Sequence, residues 1–214
     1  GEAFGFLGHN GAGKTTTIKS ILNLIHAKYD SLNILGINNK KVKAREKVGY
    51  LPEHPYFYDY LSAKEIVELY RVLANLPTKG LSAHVDEALT LVKMQNFAKR
   101  KMRSLSKGQT QRIALAQAIV AKPKLLILDE PYSGLDPAGR KEVSDLLLSL
   151  KEQGCTIFMS SHILSDVEFL CDRVSILFEG EIKGILDLNN SEGFQGSGFE
   201  LLVAVDDPNS LNFK

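Results

Sequence analysis

Gly8-His9-Asn10-Gly11-Ala12-Gly13-Lys14-Thr15 is a complete G-x-x-x-x-G-K-[ST] phosphate-binding loop. The apolar run Phe4-Gly5-Phe6-Leu7 precedes it and reads as a strand, and the amphipathic stretch Thr15–Leu24 follows it and reads as a helix. Glycines in such a loop let backbone N–H groups approach a phosphate chain, because no Cβ intervenes. The helix that follows points its positive end at the same anion. The whole cradle is therefore a candidate site: Gly8, His9, Asn10, Gly11, Ala12, Gly13, Lys14, Thr15 and Thr16. Lys14 is expected to reach the β- and γ-phosphate oxygens, and the Thr15 hydroxyl to take one place on Mg²⁺. The ligand implied is a nucleoside triphosphate.

Composition leaves room for this reading and closes others. The 214 residues are 44% hydrophobic and 24% charged, which fits one globular domain with or without a subdomain. A net charge of +1 gives no electrostatic case for nucleic acid or an acidic lipid surface. Leu125-Leu126-Ile127-Leu128 is among the longest apolar runs, far below the ~18 residues of a membrane span. No secretory leader is visible. Cys155 and Cys171 match no metal-ligand spacing and read as buried thiols of a reducing compartment. The chain opens on Gly1 only a few residues before the loop, so a strand at Phe4–Leu7 is expected to have little sheet beside it. On this reading the sequence is a fragment whose first strands lie upstream.

Further buried strands are expected at Val48–Leu51, Leu125–Leu128, Thr156–Ser160 and Arg173–Phe178. Glu181–Leu186 reads as an edge hairpin partner joined through Glu179-Gly180. Helical periodicity covers Ala63–Leu73, Ser82–Met94, Gln109–Ala121, Ala138–Gln153 and Ile163–Leu170. Strands alternating with helices predict an α/β phosphate-loop core with a mostly parallel sheet. Three helices and no convincing strand between Pro55 and Lys122 predict an inserted helical subdomain. The expected division is a domain over 1–186, with core 1–54 and 123–186, helical subdomain 55–122, and a C-terminal extension 187–214. A strand at Phe199–Val205 is expected in that extension.

Two further motifs carry chemistry. Leu125-Leu126-Ile127-Leu128-Asp129-Glu130 is an apolar strand ending in paired carboxylates, a Walker B pattern. Asp129 is placed to hold Mg²⁺, usually through water, and Glu130 to polarise the attacking water as general base. Leu105-Ser106-Lys107-Gly108-Gln109 opens a helix, so Ser106 serves as N-cap in front of free backbone N–H groups. That is a second anion-binding helix end, out of reach of the first in a compact chain. Its natural use is in trans, against the γ-phosphate held by another copy.

These residues resemble the ATP-binding cassette (ABC) family, whose signature reads L-S-G-G-Q. Lys107 stands at the first glycine of that pattern, while Ser106, Gly108 and Gln109 match it. Ser133-Gly134-Leu135-Asp136 resembles the family's D-loop, which crosses the dimer interface. Ser160-Ser161-His162 resembles the switch-histidine segment that senses the γ-phosphate. Tyr50-Leu51-Pro52-Glu53 is similar to the Q-loop with Glu53 in place of glutamine, which adds a carboxylate near Mg²⁺. The resemblance spans Gly1 to Leu186. It implies catalysis by Glu130, His162 and Lys14, a nucleotide site completed by Glu53, Ser106, Gly108, Gln109 and Asp136, and Mg²⁺ held by Thr15, Asp129 and Glu53. The aromatic residue that the family stacks on adenine lies upstream of the phosphate loop, and Tyr29, after the loop, does not replace it.

Within that family the sequence is most similar to cassettes of bacterial exporters with separately encoded membrane subunits. DNA-repair and chromosome proteins insert long coiled coils between loop and signature, and no sustained heptads separate Lys14 from Ser106 here. Twin-cassette translation factors carry two such units, and this chain carries one; a non-transport ATPase of either kind is the alternative. The basic cluster Lys99-Arg100-Lys101-Arg103 reads as a solvated face, so no nucleic acid is expected. Pro55-Tyr56-Phe57-Tyr58-Asp59-Tyr60-Leu61 packs aromatics too densely for all to point inward, and an exposed docking groove is expected there. The resemblance implies a dimer, with itself or a paralogous cassette, around two MgATP. It further implies a membrane transporter subunit seated near Tyr56–Leu61, at the inner, cytoplasmic face of the cell membrane.

Overall fold

The structure is a computed structural model and describes residues 1–74 and 80–189. Its elements run β1 (Ala3–Leu7), α1 (Lys14–Ile21), β2 (Asn33–Ile34), β3 (Ile37–Asn38), β4 (Val48–Leu51), α2 (Ala63–Leu73), α3 (Leu81–Leu91) and α4 (Lys107–Ile119). They continue with β5 (Leu125–Asp129), α5 (Pro137–Glu152), β6 (Thr156–Ser161), α6 (Leu164–Leu170), β7 (Arg173–Phe178) and β8 (Glu181–Asp187). Six strands form one sheet in the order β4-β5-β6-β1-β7-β8, parallel except for the antiparallel edge strand β8. This is the mostly parallel α/β sheet expected from the alternation of periods.

The expectation that the first strand would have little sheet beside it is wrong. β1 lies inside the sheet, with β6 on one side from Ala3↔Ile157 and β7 on the other from Phe4↔Arg173. Position in the chain does not set position in a parallel sheet, because neighbours arrive through crossovers from far downstream. Helix α1 covers one face, where Ile18 and Leu22 pack on Ile127. The other face belongs to α4, α5 and α6, whose buried residues join Leu126, Leu128, Ile157 and Met159 in one continuous core that also takes in Ile66, Val85 and Leu89 of α2 and α3. Helix α4 approaches β4 so closely that a Cβ on Gly49 would lie 2.2 Å from the Ala118 carbonyl oxygen.

Two local differences have local causes. Helix α1 ends at Ile21 rather than Leu24, because the buried Asn39 amide donates to the Ser20 and Ile21 carbonyls at 3.2 and 3.1 Å, and Asn23 turns left-handed at φ 55°. Asn39 follows the hairpin β2–β3, which is too short for any periodic signal and turns through Leu35 and Gly36 at positive φ. The edge strand runs one residue past the expected domain limit, and the Leu188 N–H still donates to the Asp172 carbonyl. The strand expected at 199–205 lies outside the described residues. Both cysteines are buried and free. Among the described residues no helix is long and apolar enough to cross a membrane.

Candidate functional site

Every chemical group of the site follows the C-terminal end of a parallel strand. The phosphate loop follows β1, Glu53 follows β4, Asp129 and Glu130 end β5, and His162 follows β6. Adjacent parallel strands end on the same rim, so four segments remote in sequence converge there.

The loop is built as the motif requires. Gly11 and Gly13 adopt φ 87° and 108°, conformations that side chains rarely take, and Gly13 caps α1 without a side chain. Gly8 is packed tightly enough that a Cβ would meet the Leu177 carbonyl oxygen at 2.6 Å, and its N–H donates to Ser161. Ala12 is buried against Phe6 and Leu177, anchoring the loop on the sheet. His9, Asn10, Gly11 and Thr16 are exposed, and the His9 ring meets Phe178 edge-on at 5.4 Å. The first turn of α1 carries no acidic residue, so its positive end is open to an anion.

Lys14 folds back inside this loop. Its ammonium donates to the Gly8 and His9 carbonyls at 2.7 and 3.2 Å and lies 3.3 Å from Glu130 Oε1. The other Glu130 oxygen, Oε2, lies 2.9 Å from His162 Nδ1. Although Lys14 is near, the direction is poor for a hydrogen bond, and Oε1 is buried with no hydrogen-bond partner among the described residues. Glu130 itself sits at φ 51°, a strained backbone that turns its carboxylate out of the strand end. Asn10, Gly11, Gly13, Lys14, Thr15, Thr16, Glu53 and Glu130 line a cavity of about 200 Å³. A second lobe of about the same volume shares Asn10, Glu53 and Glu130 and extends to Gly134, Arg140 and His162.

Ser160 organises the acidic pair. Its hydroxyl donates to Asp129 Oδ1 at 2.6 Å and accepts from the Glu130 N–H at 3.1 Å. Asp129 Oδ2 is left buried and without a hydrogen-bond partner among the described residues. An orphaned carboxylate oxygen beside a triphosphate cradle fits a hard cation with oxygen ligands. No group of three or more His, Cys, Asp or Glu side chains forms a metal cage among the described residues. Mg²⁺, which habitually keeps waters and shares its ligands with phosphates, is a cation of that kind.

The sequence reading missed several supporting residues. Gln111 of α4 is buried and donates to the Glu130 and Pro131 carbonyls at 3.5 and 3.3 Å, tying the signature helix to the acidic strand end. Asp166 accepts from Ser161 at 3.2 Å and from Arg140 at 3.3 Å, while Ser161 Oγ accepts from the Ile163 N–H, bracing the turn that carries His162. Gln111 stands 19 and 20 positions from the carbonyls it reaches, and Arg140 stands 26 from Asp166, so no local spacing announces these contacts.

Ser106, Gly108, Gln109 and Asp136 are not brought to the phosphate loop. They line a separate cavity of about 650 Å³. Ser106 caps α4 in a reciprocal box with Gln109: its Oγ accepts from the Gln109 N–H, and its own N–H donates to Gln109 Oε1. The Ser106 hydroxyl proton stays available to an incoming acceptor. Asp136 caps α5 by accepting from the Gly139 N–H at 2.9 Å. The aliphatic stem of Lys107 lies over Gly134, so the departure from the glycine pattern packs against the loop that precedes Asp136.

Comparison with known proteins finds close similarity in sequence and fold. The family described as ABC transporter matches residues 1–133. An uncharacterised ABC transporter ATP-binding protein of Synechocystis sp. is 45% identical over 91% of this chain and 57% of its own length. The bacitracin transport ATP-binding protein BcrA of Bacillus licheniformis is 44% identical over 85% of this chain and 60% of its own. The chain therefore spans somewhat more than half the length of these relatives. A solved ATP-binding subunit of an ABC transporter superposes with TM-score 0.80 at 29% identity, covering 88% of this chain and 79% of its own. A dimeric post-hydrolysis state of the cassette MJ0796, bound to ADP and Pi, also gives 0.80, at 25% identity and 87% and 85% coverage.

Proposed function

The chain belongs to the ABC transporter family, and from that premise we propose that it is the ATP-binding and hydrolysing part of a transporter, closing head to tail with a second cassette around two ATP. The observation that carries this reading is the Glu130 carboxylate, held between Lys14 and His162 at the mouth of the phosphate cradle. The separate cavity at Ser106 and Gly108 supports assembly in trans, since one chain presents two half-sites that do not meet. The dimeric cassette solved with ADP and Pi supports the same arrangement.

In this reading Gly8 to Thr16 and the α1 end bind the phosphates, and Lys14 leaves Glu130 to engage the γ-phosphate. Glu130 then accepts a proton from the attacking water at its free oxygen, while His162 orients the carboxylate from the other side. Ser106 and Gly108 of the partner copy bind the same phosphate, and Asp136 lies at the shared interface. Thr15, Asp129 and Glu53 would hold Mg²⁺, which supplies charge neutralisation on the β- and γ-phosphates when bound.

The movement is transmitted through Tyr56–Leu61 to a membrane subunit at the cytoplasmic face. In support, Phe57 turns inward at 8% exposure while Tyr56, Tyr58 and Tyr60 stand at 88, 55 and 67%. The relative named for bacitracin transport supports a transport role, and export is the direction that the sequence resemblance suggests. The test is ATP hydrolysis and ATP-dependent dimerisation by the full-length protein, followed by stimulation on co-reconstitution with its membrane subunit. Absence of both turnover and an ATP-dependent dimer overturns the reading.

A further inference from the structure

The cluster Lys99-Arg100-Lys101-Arg103 is exposed, and its segment is fastened to a neighbouring one. Four backbone hydrogen bonds fasten its segment to the tyrosine row: Ala63 N–H to Arg100 O and Lys64 N–H to Ala98 O, both 2.9 Å, then Met102 N–H to Leu61 O at 2.9 Å and Arg103 N–H to Asp59 O at 3.4 Å. Ser62 and Lys101 form an antiparallel bridge at the centre of this contact. Phe57 and Met102 turn inward from the two segments and are buried. Tyr56, Tyr58 and Tyr60 turn outward from one, and Lys99, Arg100, Lys101 and Arg103 are exposed on the other.

The cations are only partly spent within the chain. Lys101 pairs with Glu65 at 3.3 Å, and the Arg100 guanidinium lies 4.9 Å from the Phe97 ring centre. Lys99 and Arg103 have no ion pair among the described residues, and Asp59 is the one carboxylate in the Tyr56–Leu61 row. Tyrosine and arginine together form surfaces of the kind that carry binding energy, and unpaired cations at such a surface select their partner by charge.

We propose that this combined surface, Tyr56, Tyr58 and Tyr60 with Lys99 and Arg103, docks an acidic segment of the membrane subunit, with its carboxylates against the cations and its apolar face on the tyrosine rings. The proposal rests on the docking reading above and adds the chemistry of the partner. It also gives the basic cluster a task that net charge alone did not suggest.

The experiment places a photocrosslinking benzoylphenylalanine at Tyr60 in the full-length protein within its native cells and maps the captured peptide. The expected peptide belongs to a cytoplasmic loop of an integral membrane protein and carries Asp or Glu. The double variant Lys99→Glu with Arg103→Glu should lower co-purification of that subunit at least tenfold, with an unchanged melting temperature because both side chains are exposed. Changing the partner's mapped carboxylates to Lys should restore it. A captured loop without carboxylates, or full co-purification by the charge-reversed protein while Tyr58→Ser with Tyr60→Ser abolishes it, overturns the acidic partner and leaves the docking reading standing. Capture of no membrane protein overturns the docking reading itself. Charge-dependent binding of the protein alone to phosphatidylglycerol vesicles, or to a single-stranded oligonucleotide, with no effect of the reversal on subunit co-purification, assigns the cations to that polyanion and overturns the proposal.

Discussion

Lys14 Nζ and Glu130 Oε1 face each other at 3.3 Å across the mouth of the phosphate loop, although one opens helix α1 and the other follows strand β5, far along the chain. In the proposed mechanism the ammonium binds phosphate and the carboxylate activates water, so a bound γ-phosphate is expected to replace this contact while Glu130 keeps its bond to His162.

Glu130→Gln keeps the shape but removes the negative charge that faces Lys14 on one side and His162 on the other. Hydrolysis should fall by about 10²-fold or more if Glu130 is the general base, as proposed. ATP affinity should hold or rise, since Lys14 no longer has a competing anion, and an ATP-bound dimer should accumulate. Phosphate release and size-exclusion chromatography of the full-length variant measure both effects, and near-normal turnover would move the base elsewhere.

Ser160→Ala removes a hydroxyl that serves Asp129 and Glu130 at once in a fully buried position. Stability should drop by about 1–3 kcal/mol, the range for leaving buried polar groups unsatisfied. The Mg²⁺ concentration for half-maximal turnover should rise as well, because Asp129 loses the bond that fixes its orientation. Denaturant titration and a Mg²⁺ titration check the two parts separately.

Lys14→Ala and Ser106→Asp should each be inactive alone and partly active when mixed. Aspartate retains the N-cap of α4 but sets a negative charge where the partner's phosphate would come. A mixed dimer contains one site with neither substitution if the half-sites combine in trans. Lack of rescue in heterodimers verified by differential tagging counts against that assembly.

Alkaline pH should destabilise the fold, chiefly through three acids whose ionisation burial opposes most strongly. Burial pushes the Cys171 thiol from 9.0 up to about 12, and the Tyr132 phenol from 10.0 to about 12. Burial, then the nearby Asp129 charge, does the same to Tyr50. In each case the unfolded chain ionises first, so the stabilising difference is complete below pH 9 and is lost as pH rises from 9 to 12. Each such group removes about 1.4 kcal/mol per pH unit inside its own window. Denaturation curves between pH 8 and 11 should show the decline, and Cys171→Ala should lessen it between pH 9 and 10, where Cys155, whose thiol burial also pushes up, still contributes.

Much of the fold was legible because its signals are local. The phosphate loop, the acidic strand end and the cap at Ser106 depend on residues within one turn of each other. The hairpin β2–β3 was not legible, since two residues per strand carry no period. Nor was the early end of α1, which Asn39 imposes from beyond the helix.

The sequence by itself determined the chemical parts: a cradle of glycines, a lysine, paired carboxylates, a histidine directly after a strand and a second helix end bearing Ser106. Tertiary structure alone decided how they meet. It set β1 inside the sheet, aligned the ends of β1, β4, β5 and β6 on one rim, and put Glu130 between Lys14 and His162. It also fastened the basic cluster to the tyrosine row through Ser62 and Lys101. The physical reason is range. Helix caps and loop conformations are fixed by neighbours a few residues away, whereas strand order and register come from burying apolar faces across the whole chain.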